Sequence, residues 1–280
     1  KITIEAFAQA APINVIRALR RRAPQVLTAI QGASLGGYGY DIRINDAMTE
    51  AQAAIKGFYV MGRTFGKKLR EENMFGNPKA LITADQRGTS RALRLALVQG
   101  LLDEGLEVTT QADNQAINTG LSSQKGLSAG FELVIQITGS HNPKQANGAK
   151  IMYESLPFYA YQLNTNAQEK NDKTKKYQNS LRYKIEEYGE FLEKNINTPQ
   201  GNPVTGRLKV DVNLVQEHIE ALNKVLPDLR NPSSIIADFR NGAGGEVLIG
   251  LAEKKGYRIV RISTAQAPLP NEVFDSKEPV

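Results

Sequence analysis

The hydrophobic residues change period repeatedly from about residue 40 onward, and this alternation limits the possible folds more than any other feature of the sequence. Apolar residues recur at helical spacing over 52–72, and short extended runs follow at 79–84, 106–110 and 131–137. Between these runs lie helical patterns, at 92–104 and 118–129. Strands that alternate with helices are typical of a sheet covered by helices. The sequence therefore predicts an α/β fold: a parallel or mixed sheet with helices on both faces.

The same alternation starts again near the end of the chain, after a polar segment at 164–178 that cannot build a core. A strand at 234–238 leads into the glycine-rich turn NGAGG, a helix to about residue 255 and a strand at 257–262. Helical patterns at 183–194 and 212–225 precede this unit. These patterns predict an N-terminal extension over 1–35, a first domain over 36–208 and the beginning of a second, similar α/β domain over 209–280.

Composition excludes several classes of function. The 280 residues contain no Cys and only two His, which excludes thiolate zinc sites, cysteine nucleophiles and multi-histidine metal sites. No apolar run approaches the roughly 20 residues of a membrane helix. The net charge is +6, and the excess of positive charge lies in two peripheral stretches, 1–40 and 164–184, rather than on a face with interleaved aromatic residues. We therefore expect neither nucleic acid nor membrane as a partner.

The segment TGSHNP at 138–143 carries the clearest chemical signal, because it directly follows the apolar strand at 131–137. Ligands and reacting groups collect at the carboxyl ends of strands in α/β sheets. Gly139 allows the backbone to approach a ligand closely, and Ser140 is presented at that edge. By composition alone, the segment fits an ordinary turn equally well.

Four segments together resemble one enzyme family. TGSHNP at 138–143, followed by NGAKI at 147–151, resembles the phosphoserine loop of the α-D-phosphohexomutases, the phosphoglucomutase and phosphomannomutase superfamily. The segment YDIR at 40–43 resembles the Y-D-I-R motif of that family, and 85–90 resembles its R-D-x-R-x-S loop. The turn at 238–245 is similar to the D-x-G-N-G-x-x-G turn that opens the second domain of the family. The order of the segments is that of the N-terminal portion of the family.

The resemblance implies interconversion of hexose 1-phosphate and hexose 6-phosphate, an isomerase reaction that proceeds through a phosphoserine and a bisphosphorylated sugar. It implies that Ser140 carries the phosphoryl group, that Arg43 and Lys150 face its charge, and that His141 assists proton transfer. Substrate contacts are implied for four further residues: Tyr40, Asn142, Asp85 and Arg87. For the last two, a pair that fixes its own loop is an equally good interpretation.

The resemblance also implies Mg²⁺, bound to Ser140 through its phosphate, and a hexose 1,6-bisphosphate activator. The D-x-D-x-D metal loop of the family does not occur in these 280 residues, and neither do its sugar-binding and phosphate-binding segments. Ala84 and the segment NQAIN at 114–118 also depart from the pattern. We expect a cytoplasmic enzyme whose hexose phosphate site needs remaining domains of the same protein, and an inactive chain when these residues stand alone.

Three other interpretations fit parts of the sequence. A serine hydrolase would use Ser140 and His141, but G-x-S-x-G is not satisfied because Asn142 occupies the second glycine position. A dinucleotide site at the turn near Gly242 lacks the third glycine of its fingerprint. The stronger alternative is a truncated, non-catalytic domain that binds a sugar phosphate or a protein partner. The preference for glucose or mannose is not encoded in these segments.

Overall fold

The computed structural model describes residues 34–36, 39–71, 78–140, 142–153, 206–227, 234–239 and 242–263. The predictions for the N-terminal extension up to residue 33, the polar segment 164–178 and the helix at 183–194 lie outside these residues. In chain order, the elements are β1 (Ser34–Gly36), β2 (Gly39–Ile44), α1 (Ala51–Glu71), β3 (Lys79–Ala84), α2 (Ser90–Asp103), β4 (Glu107–Gln111), α3 (Thr119–Ser128), β5 (Leu133–Ile137), β6 (Asn147–Tyr153), β7 (Arg207–Asp211), α4 (Leu214–Val225), β8 (Ser234–Asp238), α5 (Gly245–Lys254) and β9 (Arg258–Ser263).

Seven strands form one mixed sheet in the order β1-β2-β6-β5-β3-β4-β7. Strands β5, β3, β4 and β7 run parallel to one another, whereas β6 is antiparallel to both β5 and β2. The remaining two strands, β8 and β9, form a separate parallel pair. The predicted α/β class with a parallel or mixed sheet is therefore confirmed, and the sheet is mixed.

Alternate residues of the central strands pack on opposite faces of the sheet. Ile82 and Ile135 belong to the main core with the apolar residues of α1 and α2. Leu81 and Val134 point to the other face, where a Cβ placed on Gly126 of α3 would lie 2.5 Å from Val134 Cγ2. Helices thus cover both faces, as predicted, because the strands are apolar on both sides.

Strand β7 is an element that the sequence patterns did not predict. Its residues pair in parallel with β4, Leu208 opposite Val108, at the end of the seven-stranded sheet. The predicted boundary between residues 208 and 209 therefore lies inside a strand of the first sheet. The division into domains stays a prediction.

The helices α3, α4 and α5 join the two sheets. An apolar cluster of Ile117, Leu121, Leu214, Ile219 and Val247 connects them. In addition, Lys125 of α3 forms ion pairs with Asp211, at 3.5 Å, and with Glu217 of α4. Among the helices of the described residues, none combines the length and the apolar character that a membrane crossing requires.

Candidate functional site

The candidate site lies where strands β3 and β5 end side by side. Ala84 and Ile137 are paired at the last register position of these parallel strands, so the loops that follow them lie at one edge of the sheet. A cleft of about 180 Å³ opens there. Ligand pockets usually measure roughly 300–1,000 Å³, so the described residues enclose only part of a ligand. The cleft is lined by Asp85, Gln86, Arg87, Ile117, Asn118, Thr119, Gln136, Thr138, Ser140, Gly242 and Ala243.

Ser140 is the only described residue other than glycine with a positive φ, 54°. This left-handed conformation is unfavourable for a residue with a side chain, and such residues cluster at functional sites. The backbone N–H of Ser140 donates to Oγ1 of Thr138 at 2.9 Å. A side chain two residues earlier therefore helps to hold the turn, and Ser140 lines the cleft.

Arg87 fixes the same loop from outside. Its Nη2 donates to the carbonyl oxygens of Ser140 at 2.7 Å and Asn142 at 2.9 Å. Its Nη1 donates to those of Pro143 at 2.8 Å and Ala146 at 3.1 Å. One planar guanidinium thus binds four carbonyl oxygens of the loop at 138–146, which we call the serine loop.

Gly139 is required by this arrangement. A Cβ at position 139 would lie 2.6 Å from Cζ of Arg87 and 2.9 Å from the carbonyl oxygen of Ala146. From the sequence, Gly139 is expected to allow a close approach to a ligand. In the structure, the close neighbour is the guanidinium that holds the loop.

Asp85 completes this set of contacts. Its Oδ2 accepts from Nε of Arg87 at 3.2 Å, and its Oδ1 accepts from the backbone N–H of Arg87 at 3.1 Å and from Oγ of Ser90. All five N–H groups of the Arg87 guanidinium are therefore directed at protein oxygens. The contacts of Asp85 and Arg87 fit the interpretation that this pair fixes a loop. The loop that Arg87 binds is mainly the serine loop rather than the loop at 85–90.

The other predicted site residues lie around the cleft. Arg43 Nη1 donates to the carbonyl oxygen of Gly139 at 3.0 Å, so this cation is next to the serine loop. Lys150 is about nine-tenths buried and stands opposite Gln136 on the adjacent strand, so the two side chains share a face of the sheet. Asn142 contributes its carbonyl oxygen to Arg87. The side chain of Tyr40 and the whole of His141 lie outside the described residues.

A buried polar network beneath the cleft was missed by the sequence analysis. Gln136 Nε2 donates to the carbonyl oxygen of Ile117 at 2.7 Å, and its Oε1 accepts from the hydroxyls of Thr83 and Ser122. This network ties β5, β3 and α3 together. In the sequence, the network is indicated only by Gln136, the single polar residue in the run LVIQI.

Two helices begin at the cleft. Asn118 Oδ1 caps α3 by accepting from the backbone N–H of Leu121 at 2.8 Å, and Gly242 and Ala243 lie just before α5. The N-terminal end of a helix carries partial positive charge and favours anions. The cleft therefore suits a negatively charged ligand such as a phosphate ester. The segment at 114–118 that departs from the family pattern supplies the cap of α3.

The implied Mg²⁺ can be tested against the side chains of the site. Within the described ranges, no three His, Cys, Asp or Glu side chains gather into a group that could hold a metal ion. Both carboxylate oxygens of Asp85 accept bonds from Arg87 or Ser90. These residues by themselves do not fit a magnesium site.

Comparison with known proteins agrees with the fold and the motifs. Residues 34–170 match the α/β/α domain I of the phosphoglucomutase/phosphomannomutase family. A phosphomannomutase of Vibrio cholerae serotype O1 is 27% identical over 203 residues, which cover 70% of this chain and 37% of that protein. A phosphoglucosamine mutase of Methanococcus maripaludis is 26% identical over 205 residues, which cover 69% of this chain and 39% of that protein.

A solved structure also shares the fold. The crystal structure of a phosphoglucomutase/phosphomannomutase family protein from Burkholderia thailandensis superposes with a TM-score of 0.54 at 20% identity, over 81% of this chain and 43% of that one. The chain thus spans about two fifths of the length of these relatives. Through its domain I, matched over residues 34–170, its four motifs in order and its mixed sheet, the chain is similar to the N-terminal portion of the α-D-phosphohexomutase superfamily.

Proposed function

We propose that the protein interconverts hexose 1-phosphates and hexose 6-phosphates by passing a phosphoryl group through Ser140. The observation that carries this proposal is the geometry of one loop. Ser140 has a left-handed backbone that Thr138 and Arg87 hold in place, and it lines a cleft at which two helices begin. A group that repeatedly gives and takes a phosphoryl group has to stay fixed in this way, because phosphoryl transfer depends mainly on alignment.

In the proposed reaction, a hydroxyl oxygen of the hexose monophosphate attacks the phosphorus atom on Ser140. A new P–O bond forms to the sugar, the bond to Ser140 Oγ breaks, and the hydroxyl proton passes to Oγ. The sugar, which now carries two phosphates, turns over in the site. Ser140 then takes the other phosphoryl group and returns its proton to the sugar oxygen. Lys150 and His141 are our candidates for the proton transfer.

Several positive groups would face the transferring phosphoryl group. A phosphoserine carries a charge of about −1.5 to −2 at neutral pH. Arg43, hydrogen-bonded to Gly139, and the N-terminal ends of α3 and α5 are close to the loop that would carry this charge. We further propose that Mg²⁺ is bound to the phosphate of Ser140 with carboxylate ligands from outside the described residues. A hexose 1,6-bisphosphate would phosphorylate Ser140 before the first turnover.

The choice of sugar is open within this proposal. The relatives include enzymes named for mannose and for glucosamine phosphates. The assay should therefore compare the 1-phosphates of mannose, glucosamine and glucose as substrates. The sugar with the highest kcat/KM identifies the natural substrate among these three.

Replacement of Ser140 by Ala tests the proposal in the full-length protein. Wild-type protein treated with hexose 1,6-bisphosphate that carries ³²P should retain label on the peptide with Ser140, and Ser140→Ala should retain none and lose turnover. Ser128→Ala, at an exposed serine on α3, should label and turn over like the wild type. A wild-type protein that binds hexose phosphate but never acquires label would contradict the proposal and favour a non-catalytic binding domain.

A further inference from the structure

We propose that Gln86 recognises the ring hydroxyl groups of the sugar, an inference that rests on the proposed function of the cleft. Gln86 lines the cleft together with Ser140. Its side-chain Oε1 is buried and accepts no hydrogen bond from the residues that the structure describes. No motif of the resemblance gives this residue a role, because it occupies the variable position between Asp85 and Arg87.

A buried carbonyl oxygen without a partner needs a physical explanation. Such a group costs roughly 1–3 kcal/mol, and folded proteins leave few of them. Arg94 Nε and Gln115 Oε1 have the same property, but neither residue lines the cleft. Gln86 therefore combines an unmet hydrogen-bonding need with a position next to the candidate reacting group.

Three other polar side chains around the cleft already bind protein groups. The amide of Gln136 binds the carbonyl oxygen of Ile117, Oδ1 of Asn118 caps α3, and the guanidinium of Arg87 is fully used by the serine loop and Asp85. None of these groups can turn to a ligand without breaking a bond within the protein. The amide of Gln86 has no hydrogen bond to the described residues, so it can turn to a ligand without breaking one.

The chemistry of an amide selects the kind of ligand group. The terminal torsion of Gln has a broad, two-fold profile, so rotation presents either the carbonyl oxygen or the NH₂ group to the cleft. A sugar hydroxyl both donates and accepts, and two neighbouring hydroxyls can satisfy both ends of one amide. A fully ionised phosphate has only acceptors and cannot satisfy the carbonyl. Ring hydroxyls are therefore the ligand groups that fit Gln86.

Two variants of the full-length protein test this assignment. Gln86→Leu and Gln86→Met remove the amide but no hydrogen bond within the protein, so both should melt at or above the wild-type temperature. For the preferred hexose 1-phosphate, each should lose about tenfold or more in kcat/KM, because a polar contact to the sugar is lost. Gln115→Leu removes an amide away from the cleft whose Oε1 is likewise unpartnered and whose Nε2 donates to the carbonyl oxygen of Val212 at 2.8 Å; this variant should keep the wild-type kcat/KM even if it melts at a lower temperature.

The decisive comparison uses monodeoxy analogues of that sugar phosphate, each lacking the hydroxyl at C2, C3 or C4. For one analogue, wild-type protein should lose about as much kcat/KM as Gln86→Leu loses with the parent sugar, and Gln86→Leu should lose nothing further. If Gln86→Leu and Gln86→Met discriminate against every analogue as the wild type does, this assignment is wrong while the mutase proposal stands. Failure of Ser140 to accept label in the wild type would instead overturn the mutase proposal, and this assignment with it.

Discussion

At the scale of single residues, Arg87 determines the shape of the candidate site without being its reacting group. Its side chain is only 4% exposed, and its guanidinium binds four carbonyl oxygens that belong to residues 140–146. A planar fork with five donors can do this, whereas an ammonium group with three donors cannot. The left-handed turn at Ser140 therefore depends on the identity of a residue more than 50 positions away.

Replacement of Arg87 by Lys should lower kcat by about tenfold to a hundredfold, because at least one of the four loop carbonyls loses its partner and the serine moves. The free energy of unfolding should fall by roughly 1–3 kcal/mol. Turnover assays and urea titrations measure the two effects. Arg91→Lys provides the matched control, since the side chain of Arg91 is 64% exposed and a lysine can keep its ion pair with Asp113. A kcat for Arg87→Lys within about twofold of the wild type would show that the guanidinium is not needed to hold the loop.

At the scale of elements, two glycines allow α1 and α2 to pack in close contact. A Cβ on Gly62 would lie 2.3 Å from the carbonyl oxygen of Leu97, and a Cβ on Gly100 would lie 2.3 Å from that of Tyr59. Beside this contact, Tyr59 donates to Asp103 at 2.7 Å, and burial raises the pKa of its hydroxyl to about 12. The hydroxyl therefore stays protonated and serves as a donor between the two helices.

Gly100→Ala should destabilise the protein although alanine is the better helix former. The gain in helix propensity is about 1 kcal/mol, but the two backbones have to move apart, and the net loss should be roughly 1–3 kcal/mol. Chemical denaturation monitored by circular dichroism measures this loss. Gly88→Ala is the control, because a Cβ at Gly88 meets nothing within 4 Å. Equal stability of the two variants would mean that the helices are not in such close contact.

At the scale of the whole molecule, the cleft exists only where the two sheets are joined. Thr138 and Ser140 come from the first sheet, and Gly242 and Ala243 come from the unit built on β8 and β9. The apolar cluster that holds α3, α4 and α5 together positions these residues against one another. A substitution that weakens this cluster should therefore also displace the residues that line the cleft.

Ile219→Ala tests the coupling. Ile219 is 4% exposed in α4, and its Cδ1 would lie 2.4 Å from a Cβ placed on Gly250 of α5, so truncation leaves a cavity between these helices. The free energy of unfolding should fall by about 2–4 kcal/mol, and KM for the hexose phosphate should rise. Val225→Ala in the same helix, at a side chain that is 74% exposed, should change stability by less than about 0.5 kcal/mol. An unchanged KM in a clearly destabilised Ile219→Ala would show that the site does not depend on this contact.

Local sequence patterns were enough to predict the elements whose apolar residues have a strong period. Helices α1 and α2, strands β3 and β5 and the unit β8-α5-β9 were predicted to within a few residues, because their apolar periods are set by neighbouring positions. The position of Ser140 at the carboxyl end of β5 followed for the same reason. The start of α2 depends on contacts outside the helix: the hydroxyl of Ser90 binds Asp85, and Thr89 occupies the cap position without a side-chain bond.

The contacts between residues that are distant in sequence became known from the three-dimensional fold. Strand β7, whose Leu208 and Val210 are about half exposed, has no strong pattern of its own and forms because the edge of β4 offers a partner. The bonds from Arg87 to the serine loop and from Gln136 to Ile117 likewise join residues far apart in sequence. Local periodicity contains no information about such pairs, because they depend on how the strands are ordered in the sheet and not on the residues beside them.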